Sequence, residues 1–176
     1  MADYNEHLVQ VRSNLKFLGL INANCASHTD WQVTTCFYIS VHLVNGFLAN
    51  EANMHFNSHE RVKDAISPDS TTPSTRLDQK TYLSYVKLRN LSRRSRYLCN
   101  SDNPNTDIDK AHFILEKHFS KAFEYLDTLM VFFFKKYGDE YKFTEIKFAF
   151  VNPTPNCVYF KFTNSIIREK AKADKT

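Results

Sequence analysis

Between Lys87 and Arg96, five of ten residues are basic and none is acidic. On a helix turning ~100° per residue, Tyr82, Tyr85, Arg89, Arg93 and Arg96 share one side. A guanidinium is planar, permanently charged and presents paired donors, so such a row suits phosphate. With Lys87 and Arg94 these residues form the expected surface for RNA or nucleotide. Arginines are also favourable near a helix C-terminus, so the same cluster reads as a solvated helix end or as a polar network tying helices together. A second stripe carries Tyr38 and His42 one turn apart, on a face with Trp31, Thr35 and Asn45. Imidazole titrates near neutral pH, so His42 beside Arg93 or Arg96 would give acid/base chemistry with a cation to stabilise phosphorane charge. The alternative is a buried histidine hydrogen-bonded to its Tyr or Ser neighbours.

His59 and Arg61 follow a polar loop at a helix start. They suit a secondary phosphate contact assisted by helix N-terminal amides, or else a helix cap paired with an acid. His7, His28, His55 and His112 form no cluster with carboxylates, and Cys25, Cys36, Cys99 and Cys157 lie far apart without zinc spacing. No metal site and no cofactor are expected. GxSxG, P-loop, GxGxxG and HExxH motifs are missing.

The elements that must carry these residues are helical. Leu8, Val11, Leu15 and Leu18 give an amphipathic helix from about Asn5 to Ala23. Thr29 with Gln32 has capping-box spacing and opens a helix running from Trp31 to about Asn50. Apolar stripes on two sides, Val33–Phe37–Val41–Val44–Leu48 and Cys36–Leu43–Phe47, predict that it is the central helix. Asn57 with Glu60 predicts a short helix to about Ile66, followed by a polar loop over Ser67–Thr75. The arginine-bearing helix spans about Asp78 to Leu98. A long helix is expected over Asp107–Tyr137, with Ala111, Leu115, His118, Ala122, Leu126, Leu129 and Phe133 inward and Gly138 as its stop. Alternation at Ile146–Phe148–Phe150 and Val158–Phe160–Phe162 around Asn152–Asn156 predicts a β-hairpin.

The fold class is therefore mainly α: an up-and-down bundle of four long helices and one short one, with a C-terminal β-hairpin. It divides into a bundle over 1–138, a hairpin extension over 139–165 and a charged tail over 166–176. Three glycines in 176 residues disfavour glycine-rich phosphate loops and β-rich folds. The net charge of +4 is modest, so its concentration in Lys87–Arg96 is what matters. The cysteines suit a reduced compartment, the polar N-terminal residues are not a signal peptide, and no apolar run reaches membrane-spanning length. A cytoplasmic protein without a membrane partner is expected.

Asp30-Trp31 leading into Phe37-Tyr38-Ile39-Ser40-Val41-His42, then Ser58-His59-Glu60-Arg61, then Tyr85…Leu88…Ser92-Arg93-Arg94-Ser95-Arg96-Tyr97 resembles the HEPN superfamily over roughly residues 5–130. These are helical bundles of prokaryotic toxin–antitoxin, abortive-infection and nucleotidyltransferase-partner systems. The resemblance implies a dimerising helical fold with a basic helix suited to RNA or nucleotide. HEPN ribonucleases carry an Arg followed four to six residues later by His, and no arginine here has that follower. The expectation is a binding or partner-docking module, for RNA, nucleotide or a cognate protein. The alternative is a divergent metal-independent ribonuclease of a toxin or defence system, using His42 with Arg93 and Arg96. A homodimer is expected from the resemblance, from the apolar hairpin, and from the run Leu129–Phe134.

Overall fold

The computed structural model describes residues 2–97, 116–143, 146, 148 and 157–161. Five α-helices form a bundle: α1 (Tyr4–Asn24), α2 (Thr29–Ala52), α3 (His59–Ala65), α4 (Gln79–Tyr97) and α5 (Glu116–Tyr137). The central position predicted for α2 is observed, since it packs against α1, α4 and α5 and buries residues on every side. The expected segments 107–115 of the last helix and residue Leu98 lie outside the described residues.

Capping chemistry fixes where these helices start. Asp3 accepts from the Glu6 amide at 2.9 Å while the Glu6 carboxylate accepts from the Asp3 amide at 2.8 Å, a reciprocal box that opens α1. Asp78 caps α4, accepting from the amides of Lys80 at 3.0 Å and Thr81 at 3.1 Å. The capping role expected of Thr29 and Gln32 is not observed. Gln32 is buried and instead bridges the α1–α2 turn, accepting from Asn22 and donating to the Ala26 carbonyl, each at 2.9 Å. A buried amide must satisfy both its donor and its acceptor, and the turn offers more partners than the helix end. α2 stops at Asn53, which adopts φ 50°, and α5 stops at Gly138 with φ 69°, both left-handed conformations suited to those residues.

α1 lies close on α2. A Cβ added to Gly46 would sit 3.2 Å from the Cβ of His7, so a larger residue here would press the two helices apart by a few tenths of an ångström. That approach sets His7 against His42. After α3, the loop predicted over Ser67–Thr75 is stitched down by the Thr75 hydroxyl donating to the Ala65 carbonyl at 2.7 Å and the Leu77 amide donating to that of Ile66 at 3.1 Å. α3 is thereby held against α4.

The predicted hairpin is not observed. Its second strand is replaced at 159–161 by a helical turn, and no strand occurs among the described residues. The reason lies in Asp127 on α5, whose two carboxylate oxygens accept from the amides of Val158 at 2.8 Å and Phe160 at 3.0 Å. A carboxylate that gathers successive amides in this way does the work of a helix cap and competes with ladder pairing. Phe160 then packs on Phe123 and Phe148 with centroids 4.4 and 5.2 Å away. Residues 149–156 and 162–176, and with them the whole of the tail, lie outside the described residues. The apolar segment Leu129–Phe134 is covered by its own chain: Leu129, Met130 and Phe133 are buried, Phe132 meets Phe47, and Phe134 meets Tyr159. The run Leu129–Phe134 is thus largely packed within its own chain.

Candidate anion-binding site

Helix α4 sorts its basic residues onto different sides. Tyr85, Arg89, Ser92 and Arg96 recur at intervals of four, three and four, which keeps them on one stripe. That stripe faces α2 and α3. Lys87 lies elsewhere, its ammonium 5.6 Å from the Tyr125 ring of α5, and Arg94 bears on His118 of α5. The single basic surface expected from the sequence is thus divided, because a helix with neighbours on two sides cannot present all its charges in one direction. Arg93 and Tyr82 are half-buried beside the stripe.

At the corner where the stripe meets α2 and α3, Arg89 donates to the Glu60 carboxylate at 2.8 Å. Lys63 also bonds Glu60, and these two cations hold its carboxyl below the ordinary range. Arg89 is therefore partly neutralised. Arg96 is not. Its Nε donates to the Ser92 carbonyl at 3.3 Å, and its guanidinium lies 5.9 Å from the ring centres of Phe37 and Tyr38 and 5.1 Å from that of Tyr97. Among the described residues it has no carboxylate partner. Aromatic faces attract a cation without cancelling its charge, so Arg96 remains available to an anion.

His59, first residue of α3, sets its ring edge-on to Phe37 at 5.1 Å. Burial holds its pKa below the ordinary value, and the charges of Arg96 and Arg89 push it further the same way. It is a neutral imidazole beside two guanidiniums. Two hydroxyls of the α4 stripe add to this. The Tyr85 hydroxyl and the Ser92 Oγ, on residues that are both 0% exposed, have no hydrogen-bond partner among the described residues. Buried hydroxyls without partners are uncommon and costly. Burial pushes the Tyr85 phenol upward, so it stays protonated and able to donate.

His42 stands apart from this corner. Its Nδ1 lies 3.1 Å from that of His7 in α1, so one ring donates and the other accepts. Burial lowers the pKa of both histidines, and the pair's mutual repulsion lowers that of His42 further. Among the described residues, no arginine is a hydrogen-bond, ring or electrostatic neighbour of His42. The pairing of His42 with Arg93 and Arg96 expected from the sequence is replaced by one between His59 and the Arg89–Arg96 pair. Arg61 also parts from His59. Two residues apart on a short helix, they face opposite ways, and Arg61 lines a 430 Å³ pocket with His7, Asn45 and His55. Tyr38 does join the corner, through Arg96.

A larger groove of 750 Å³ runs between α4 and α5, lined by Lys80, Lys87, Lys121 and Lys135. Among the described residues, only Lys121 of these lysines has a carboxylate partner, Glu124 at 3.0 Å, while Asp78 caps α4 and Asp127 holds two backbone amides. The corner differs in holding its guanidinium against aromatic rings and beside a neutral imidazole. The role of the unpartnered hydroxyls was not drawn from the sequence. Its signal is the 4-3-4 spacing of Tyr85, Arg89, Ser92 and Arg96.

No family model, curated protein or solved structure matches the chain. Among the described residues, no helix is long and apolar enough to cross a membrane.

Proposed function

We propose that the protein is a HEPN-like module that binds RNA or nucleotide phosphate at the corner of α2, α3 and α4, with Arg96 as the principal anion contact. The observation that carries this is Arg96 itself, a guanidinium held over three aromatic rings with no carboxylate partner among the described residues. Arg89 supports it electrostatically. The test is oligonucleotide binding against salt concentration, comparing wild type with Arg89→Ala/Arg96→Ala. Each phosphate contact on a single strand contributes a slope of about 0.7 in log K against log salt, so the double variant should flatten the dependence by roughly 1 to 1.5. An unchanged slope removes the corner from consideration.

A specific observation also favours the ribonuclease reading, with a change of residue. A neutral imidazole beside guanidiniums is the arrangement a general base needs to draw a proton from a ribose hydroxyl, and His59 meets it. RNA cleavage by wild type that is lost in His59→Ala and kept in His42→Ala is the expected result on this reading. Absence of cleavage in the wild type leaves binding alone.

A further inference from the structure

Three large aromatic side chains stand in solvent on the helix faces around Arg96: Trp31 at 59%, Tyr38 at 39% and Tyr97 at 65% exposure. Single exposed apolar residues, such as Phe17 and Leu20 of α1, are ordinary, whereas these rings gather at the end of the bundle that holds Arg96. Tyr38 and Tyr97 bracket the Arg96 guanidinium at 5.9 and 5.1 Å. Trp31 lies on the same face of α2 as Tyr38, two turns earlier and about 10 Å along the helix axis. The start of α2 is tied to the end of α4 by the hydroxyls of Thr34 and Ser95, 2.7 Å apart, which keeps the three rings on one end of the bundle. Exposed rings interleaved with a cation form a platform for unstacked nucleobases, since every base offers a π-face whatever its sequence.

We infer that the corner takes an unpaired nucleic-acid strand of at least two or three nucleotides, with bases stacked on Tyr97, Tyr38 and Trp31 and a phosphate on Arg96. This deepens the proposed phosphate-binding function and rests on it. The span from Tyr38 to Trp31 exceeds the roughly 3.4 Å that separates neighbouring nucleotides on a strand, so a mononucleotide cannot engage both rings. A duplex keeps its bases stacked on each other and offers these rings none.

Trp31 is the only tryptophan in the chain, so intrinsic fluorescence reports this platform directly. An eight-residue single strand, RNA or its DNA counterpart, should quench the emission saturably, while the same sequence annealed into duplex, a mononucleotide and inorganic phosphate should not. Tyr97→Ala should weaken the strand's binding roughly tenfold. Equal quenching by duplex or by phosphate overturns the inference. So does full affinity in Tyr97→Ala, and if Arg96→Ala then abolishes binding, the phosphate reading survives without the stacking. If no oligonucleotide binds and sedimentation shows a dimer that Trp31→Ala dissociates, the face is a protein interface and both fall.

Discussion

Two histidine-bearing regions of this bundle have similar burial and opposite chemistry. His7 and His42 satisfy each other across the α1–α2 contact, and the close packing at Gly46 holds them there. His59 faces cations, an aromatic ring and a stripe with two buried hydroxyls that have no partner among the described residues. A histidine whose hydrogen bond is supplied by the fold belongs to the fold. One placed beside unspent charge and unfilled hydrogen-bonding capacity has something left to bind. The difference lies in the neighbours, since both imidazoles are held neutral by burial.

The largest effect should come from removing the unspent charge. Arg96→Ala is expected to weaken binding of a single-stranded oligonucleotide by roughly 10- to 100-fold, the worth of one charge-assisted contact. The same change should cost the free protein about 1 kcal/mol or less, the scale of an exposed cation–π contact. Fluorescence anisotropy and denaturant unfolding separate the two quantities. His42→Ala should do the reverse, lowering unfolding free energy by about 1 to 3 kcal/mol because His7 loses its partner, with oligonucleotide affinity unchanged. If His42→Ala abolishes binding while the fold survives, the division between the two regions is wrong.

A smaller effect is expected of Tyr85→Phe. Removing a buried hydroxyl that has no partner should leave the free protein's melting temperature unchanged or raised. If that hydroxyl serves the ligand, binding should fall by about 0.5 to 1.5 kcal/mol. Loss of stability without loss of binding would assign it to the fold.

The smallest effect is in pH dependence. His7, His42 and His59 all have folded pKa values below the ordinary 6.5, so the unfolded chain binds more protons. Their contribution to stability is complete above about pH 6.5 and is lost as pH falls through the folded values. Binding should show the opposite trend. A phosphate beside His59 favours its charged form, so affinity should rise from about pH 7.5 to about pH 6. His59→Ala should remove that rise and His42→Ala should keep it, read by isothermal titration at several pH values.

How far the sequence carries is visible in particular residues. The periods of α1 and α2 could be read directly from their apolar stripes and that of α4 from its tyrosine–arginine row, and the two-sided stripe of α2 announced its central place. The stripe Tyr85–Arg89–Arg96 was legible for the same reason. What faces it was not. His42 and His59 are both credible partners on a helical wheel, and only the approach of α1 at Gly46, a long-range packing event, assigns one to His7 and leaves the other to the arginines. The failed hairpin has a similar origin: the alternation at Val158 and Phe160 is genuine, but Asp127, some thirty positions earlier, captures their amides. Local pattern cannot register a competitor that arrives through tertiary contact.

The most direct test is to follow the imidazole signals of the intact protein by NMR while a single-stranded oligonucleotide is added. His59 should shift on binding and its pKa should rise, while His7 and His42 keep their signals and their titration. Shifts confined to His7 and His42, with His59 unmoved at saturation, would contradict the assignment of the site to the Arg96 corner.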